Sequence, residues 1–346
     1  MLARSRRLDI SPDGVAGPML VPSLSSKGFP IDEDGRSETA PVLELAHPDM
    51  NESVLVSAYD LHHGYVGRSD WLRDSARYSE SPLGTPSVVV VDSGGYELSA
   101  DFESGESSRG TRYPKEFTFA QYSALIDSLP HDASLLVVSY DRPATSRPSY
   151  VEQREAAQDF FGGRPHLRTD FLVKPEGELR YIETTALVPD IKNWRTFDVI
   201  GVTEKDLGGT VFDRLVCLAR LRAAMDAGGC EAVPIHVFGG LDPVFTLLYF
   251  MCGAEIFDGL SWLKYAYHDD VAMHPDAARI LNFQIDHRPD RADQLRHFAN
   301  LAYLARMKRR MQIWASDAAR FEELGPHHVV LRGIYDLVMA EREKGV

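Results

Sequence analysis

The sequence of 346 residues is short of several things, and each shortage excludes something. It has no apolar run long enough to cross a membrane. Its three cysteines, Cys217, Cys230 and Cys252, are too few and too scattered for a disulfide framework, so a reducing, cytoplasmic setting is expected. Arg4, Arg6 and Arg7 lead into no apolar segment, and no secretory signal is expected. No glycine-rich dinucleotide fingerprint follows the early apolar runs, and there is no internal repeat. Positive charge is scarce too: 37 Lys and Arg face 51 Asp and Glu, a net charge of −14. By itself that deficit argues against nucleic-acid binding, which neutralises phosphates with Lys and Arg. A local basic patch is still compatible with an acidic whole. The candidate is the run Arg306, Lys308, Arg309 and Arg310, with Arg288, Arg291 and Arg296 upstream; its plainer reading is a solvated helix face.

What is present reads as an ordinary globular core, 44% hydrophobic and 25% charged. Residues 1–40, rich in Ser, Pro, Gly and charge, read as an irregular N-terminal arm. Short apolar runs then alternate with helical patterns. Strands are expected at 54–58, 87–91, 134–139, 170–173, 197–202, 234–238 and 255–258. Helices are expected at 118–129, where Thr118 caps and Pro130 stops, and at 151–161, 211–227 and 243–252. From Ala277 onward the pattern is almost wholly helical. Continuous apolar strands separated by helices imply a parallel sheet covered on both faces. About seven such units predict a (β/α)8 TIM-type barrel over 41–275, completed and covered by a helical C-terminal part, 276–346. A doubly wound open sheet is the alternative, weakened by the missing fingerprint.

A barrel carries its reactive groups at the C-terminal ends of its strands. Three acidic residues fall there: Asp92 after VVVV, Asp141 after LLVVSY and Asp258 after EIF. Each alone also reads as a helix cap or Asx-turn. Three at corresponding places point to a shared acidic pocket. Gly94 and Gly95 follow Asp92 and let the backbone approach a flat ligand, and Tyr96 then offers a ring face. Gly239 and Gly240 close the HVF strand in the same way, with simple turn chemistry as the alternative. His62 and His63 fall where the mouth should be and serve either contact or packing, whereas His236 reads as a core histidine.

Taken in order, these segments resemble the tRNA-guanine transglycosylase superfamily. The matching residues are Asp92-Ser93-Gly94-Gly95-Tyr96, Asp141 in YDRPATSRP, Ile200-Gly201-Val202, and His236-Val237-Phe238-Gly239. They end with Cys252 to Asp258 followed by SWLKYA, and with Asn300-Leu301 in a later helix. The resemblance runs over roughly residues 53–313. It implies exchange of guanine for a 7-deazaguanine-type base in a nucleic acid, with Asp258 as the nucleophile on the ribose C1′. It implies that Asp92 binds the base and acts as general acid and base, and that Asp141 reads the base edge. Tyr96 would stack on the base and Gly201 would contact it through its backbone. A carboxylate beside an oxocarbenium-like centre and a second carboxylic acid for the leaving base suit this chemistry. The target nucleotide would have to leave its stack.

The sequence also departs from that family. The family's structural-zinc loop of three cysteines and a later His corresponds to 280–287 and Ala299, where no such ligand remains. No zinc or other cofactor is therefore expected, with apolar packing in its place; a site from Asp286, His287 and His297 is the alternative. Lys174 stands where the family has a Gln, adding a cation near the base or simply a loop lysine. These differences resemble the 7-deazaguanine transglycosylases of DNA, so DNA is favoured over tRNA as acceptor. A homodimer or accessory modification proteins are implied by the resemblance alone. The competing functions are a catalytically silent nucleic-acid-binding subunit of a transglycosylase complex and a barrel glycosidase or nucleoside hydrolase.

Overall fold

The computed structural model describes residues 2–31, 33, 35, 37–46, 52–66, 87–99, 114–131, 133–142, 147–285 and 288–344. Eight parallel strands close into a barrel: β1 (Met19–Leu24), β2 (Ser53–Ser57), β3 (Val88–Asp92), β4 (Leu135–Val138), β5 (Arg168–Val173), β6 (Val199–Thr203), β7 (Ile235–Phe238) and β8 (Ile256–Gly259). Each pairs with its successor, and β8 closes on β1 with Asp258 opposite Val21. Nearly every strand residue is buried, because helices cover the outer face and side chains fill the inner one.

The first barrel strand lies inside the segment read from sequence as an irregular arm, and that boundary is corrected here. MLVPSL hides its nature: Pro22 has no amide hydrogen and ordinarily argues against a central strand. It is accommodated because the ladder to β2 takes up only Ser23 and Leu24, after the proline. The arm has a second task. A small hairpin of Arg7–Leu8 with Val15–Ala16 puts Leu8, Ile10 and Val15 into the same buried cluster as the inward residues Val21, Val90 and Leu136. Arg6 grips the buried Glu255, ahead of β8, with two 2.7 Å bonds. The N-terminal end of the barrel is thereby plugged and tied.

Helices return the chain between strands: α1 (Thr39–Ala46), α2 (Ala58–His63), α3 (Phe119–Asp127), α4 (Tyr150–Gly162), α5 (Thr184–Ile191), α6 (Val211–Ala227) and α7 (Phe245–Met251). Several starts carry reciprocal caps, Thr118 with Gln121, Ser149 with Glu152 and Thr210 with Asp213, each satisfying two backbone donors that a bare helix end leaves open. After β8 come a hairpin of Ala266–His268 with Val271–Met273, a long helix α8 (Pro289–Ser316) and α9 (His328–Glu343), which packs on α6. Among the described residues no helix is long and apolar enough to cross a membrane.

Period two along each strand decides which side chains enter the barrel. Val88 and Val90 belong to the inner cluster, so Asp92 follows them inward at the top of β3. Leu172 does the same for Asp170 on β5 and for Lys174 directly after it, Val21 for Ser23 on β1, and Ile256 for Asp258 on β8. Apolar layers at the bottom thus give way to a polar layer at the C-terminal ends.

Candidate active site at the barrel mouth

The centre of the polar layer is Asp258. Ser23 Oγ donates to its Oδ2 at 2.8 Å, while the Gly239 amide at 3.1 Å and His236 Nε2 at 3.2 Å meet its Oδ1. Gly239 turns with φ of +79°, which brings its amide to that oxygen. Three donors, one from β1 and two from β7 and the turn that ends it, fix the carboxylate in one orientation, with one oxygen bonded only once among these contacts.

His236 is fully buried, and its other nitrogen, Nδ1, lies 2.7 Å from Asp170 Oδ2. Both ring nitrogens face carboxylate oxygens, so both are served by donation only when the imidazole is protonated. Burial opposes that charge, but the hydrogen bonds and charges of Asp170 and Asp258 outweigh it and raise the imidazole to about 9. The reading of His236 as a satisfied core histidine holds for its burial, yet sequence gave no sign that one of its partners would be Asp258. Gly201 leaves room for this group: a Cβ there would lie 2.6 Å from both Asp170 Oδ1 and the Phe238 ring.

Asp92 stands at the top of β3, with the Gly94 amide donating to its Oδ2 at 3.1 Å. Burial raises its carboxyl to about 7, and the negative charges of Glu97, Asp258 and Asp141 add to the shift. Glu97, on the one-turn helix Gly95–Leu98, is itself buried and accepts from Ser25 at 2.5 Å and Ser57 at 2.8 Å. Burial raises it too, against those hydrogen bonds and the charge of Lys27. None of Ser23, Ser25, Ser57, Glu97 or Asp170 stands out in the sequence; inward phase along an expected strand was available for Ser57 and Asp170 alone.

Asp141 joins the same mouth. Its amide receives no side-chain acceptor other than Ser93 Oγ at 3.2 Å among the described residues, and its carboxylate packs directly on Gly95, where a Cβ would collide with it. Lys174 Nζ lies 3.1 Å from Asp141, 3.1 Å from Asp206 and 2.8 Å from Thr203 Oγ1. Burial disfavours the ammonium, but the two carboxylates raise it further above its ordinary value. Lys174 is therefore a buried bridge, and its reading as a mere loop lysine is corrected. Tyr96 is half-buried with Lys27 Nζ 4.3 Å from its ring centre, so one ring face already has a cation on it. Gly240 closes the turn after β7, packed on Val237. His62 and His63 pack with Phe117 and Tyr59, ring centres 5.2 and 4.5 Å apart respectively.

The basic run does not join the mouth. Lys308 pairs with Glu52 and Gln312 donates to the Gly17 carbonyl, so this stretch of α8 lies beside the N-terminal ends of β2 and β1. Arg310 pairs with Asp270 at 2.8 Å, and only Arg306 and Arg309 of the four are exposed. A 28-residue helix is about 42 Å long at 1.5 Å per residue, enough to carry its second half to the far end of the barrel. The expected apolar packing in the 280–287 stretch is also corrected: Ile280, Phe283 and Ile285 are 65%, 91% and 78% exposed. Asp286 and His287 lie outside the described residues.

The mouth can present an oriented carboxylate at one place and a protonated carboxylic acid near neutral pH at another, the division of labour that glycosidic-bond cleavage requires. Compared with known proteins, the chain matches no protein-family model and no curated protein.

Proposed function

We propose that the chain is a base-exchange transglycosylase acting on a nucleic acid. Asp258 attacks the ribose C1′ of the target nucleotide; the C1′–N bond breaks, its electron pair leaves with guanine, and the Asp92 carboxyl supplies the proton that the departing base takes up. Asp92, now ionised, removes a proton from an incoming 7-deazaguanine-type base, whose nitrogen then displaces Asp258 from C1′. Asp141 and Lys174 bind polar edges of the base. DNA is the preferred acceptor and tRNA the second.

The observation that carries this reading is the difference between two carboxyl groups in one mouth. Asp258 is held by Ser23, Gly239 and His236, while burial keeps Asp92 protonated up to about pH 7. The order of motifs supports the choice of base exchange among reactions that use such a pair. A nucleoside hydrolase, with water replacing the incoming base, is the second reading. The position of Lys308 and Arg310, committed to ion pairs away from the mouth, favours it.

Incubation with radiolabelled guanine and either genomic DNA or total tRNA, native and partly denatured, separates these readings. Acid-insoluble label that disappears with Asp258→Asn supports exchange and names the acceptor. Release of free base from nucleosides without any label entering polymer supports the hydrolase.

A further inference from the structure

A second concavity of different character lies beside the acidic mouth. It opens between the C-terminal ends of β4 and β5 and the helix α4. Rings come from Phe119, Tyr140 and Phe160, and cations from Arg142, Arg147 and Lys174. Phe119, at the start of α3, is 49% exposed although its ring sits 5.3 Å from that of Tyr140, edge to face. An aromatic side chain left half in water next to a pocket is a platform for a flat ligand.

The cations divide into two kinds. Lys174 is already committed to Asp141 and Asp206. Arg142 and Arg147 make no ion pair among the described residues, and the Arg147 Nε is buried without a hydrogen-bond partner there. A buried guanidinium nitrogen with nothing to donate to is costly unless a ligand supplies the acceptor. Guanidinium forks match phosphate oxygens in shape and charge. Asp141 and Asp258 make the mouth itself unfavourable for a phosphodiester, so an anionic strand is met by cations just outside it.

The geometry points to this concavity as the seat of the nucleotide adjoining the one that reacts. Its base lies against Phe119 and Tyr140, and its phosphodiester on Arg142 and Arg147. The inference rests on the base-exchange reading for the reacting neighbour, but its test does not need turnover. Binding of fluorescently labelled trideoxythymidylate to the full chain is measured by anisotropy across a salt series, with thymidine monophosphate as competitor. Arg147→Gln and Arg142→Gln should each weaken binding about tenfold. Loss of the phosphate contact should lower the slope of log affinity against log salt by about 0.7. Arg332→Gln on α9, away from the mouth, should bind as the parent does. Equal affinity and salt slope for the parent and both arginine variants would overturn the inference even if base exchange were established. Competition by the free mononucleotide at the trinucleotide's own affinity would overturn it too, because the occupant would then be a free nucleotide. Arginine-dependent strand binding without any exchange would leave the strand site standing and remove the exchange reading.

Discussion

His236 Nε2 lies 3.2 Å from Asp258 Oδ1, and this contact joins a fully buried imidazole to the carboxylate at the barrel mouth. The imidazole sits on β7 and the carboxylate on β8, neighbours in register through Ile256 and His236. Because Asp170 holds the other ring nitrogen, the ring cannot turn away.

A pH dependence of stability follows from the protonated imidazole. Its folded value of about 9 is above that of an unfolded histidine, about 6.5. The stabilisation is complete below about pH 6.5 and is lost as pH rises through 9. Urea unfolding of the parent should therefore show stability declining between these values, and His236→Gln should remove that decline. His236→Gln should also be less stable at pH 6, since two buried carboxylates lose their cation. An unchanged slope in the variant would place the titration elsewhere.

Asp92 gives the opposite kind of variant, one that loses activity and gains stability. Its carboxyl stays protonated up to about 7 in the fold, whereas an unfolded aspartate ionises near about 3.9. The folded protein is thus penalised increasingly from about pH 4 to 7 and fully above that. Asp92→Asn should lower turnover by about 10²–10⁴-fold. It should raise the melting temperature at pH 8 by more than at pH 4.5. In the parent, turnover should fall as pH rises above 7, when the acid is no longer protonated. A turnover that is flat from pH 6 to 9 would remove Asp92 from the role of acid.

Gly201 tests whether the buried Asp170–His236–Asp258 group needs its space. An added methyl would lie 2.6 Å from Asp170 Oδ1 and from the Phe238 ring, both in the closed interior. Gly201→Ala should cost about 1–3 kcal/mol of stability by overpacking. It should also lower turnover by shifting His236 and, through it, Asp258. Gly95→Ala presses instead on Asp141 at the surface of the mouth, and should raise KM more than it changes stability. Chemical denaturation with steady-state kinetics on both variants checks the contrast.

The barrel was legible from sequence wherever its strands are continuous apolar runs, as in VVVV before Asp92 and LLVV before Tyr140. Those runs also gave the strand ends, and with them Asp92, Asp141 and Asp258. β1 was not legible, because Pro22 and Ser23 break the apolar run and β-branched residues are few. α5 was missed for a related reason, a Pro189 inside a short helix. The partners of Asp258 lie on two other strand segments, β1 and the end of β7, and contacts between inward residues of different strands depend on closure and register, which no local pattern encodes. The basic run on α8 misled because charge spacing reports a helix face but not which end of the barrel that face reaches.

The most direct test of the central claim is intact-protein mass spectrometry of the chain incubated with a guanine-containing deoxyoligonucleotide, unfolded and partly melted, then quenched in acid. A covalent adduct is expected whose added mass equals the oligonucleotide less one guanine, mapping to Asp258 after proteolysis and absent in Asp258→Asn. Exchange of guanine by Asp258→Asn at the parent's rate, or an adduct mapped to any other residue, would contradict the assignment of Asp258 as the nucleophile.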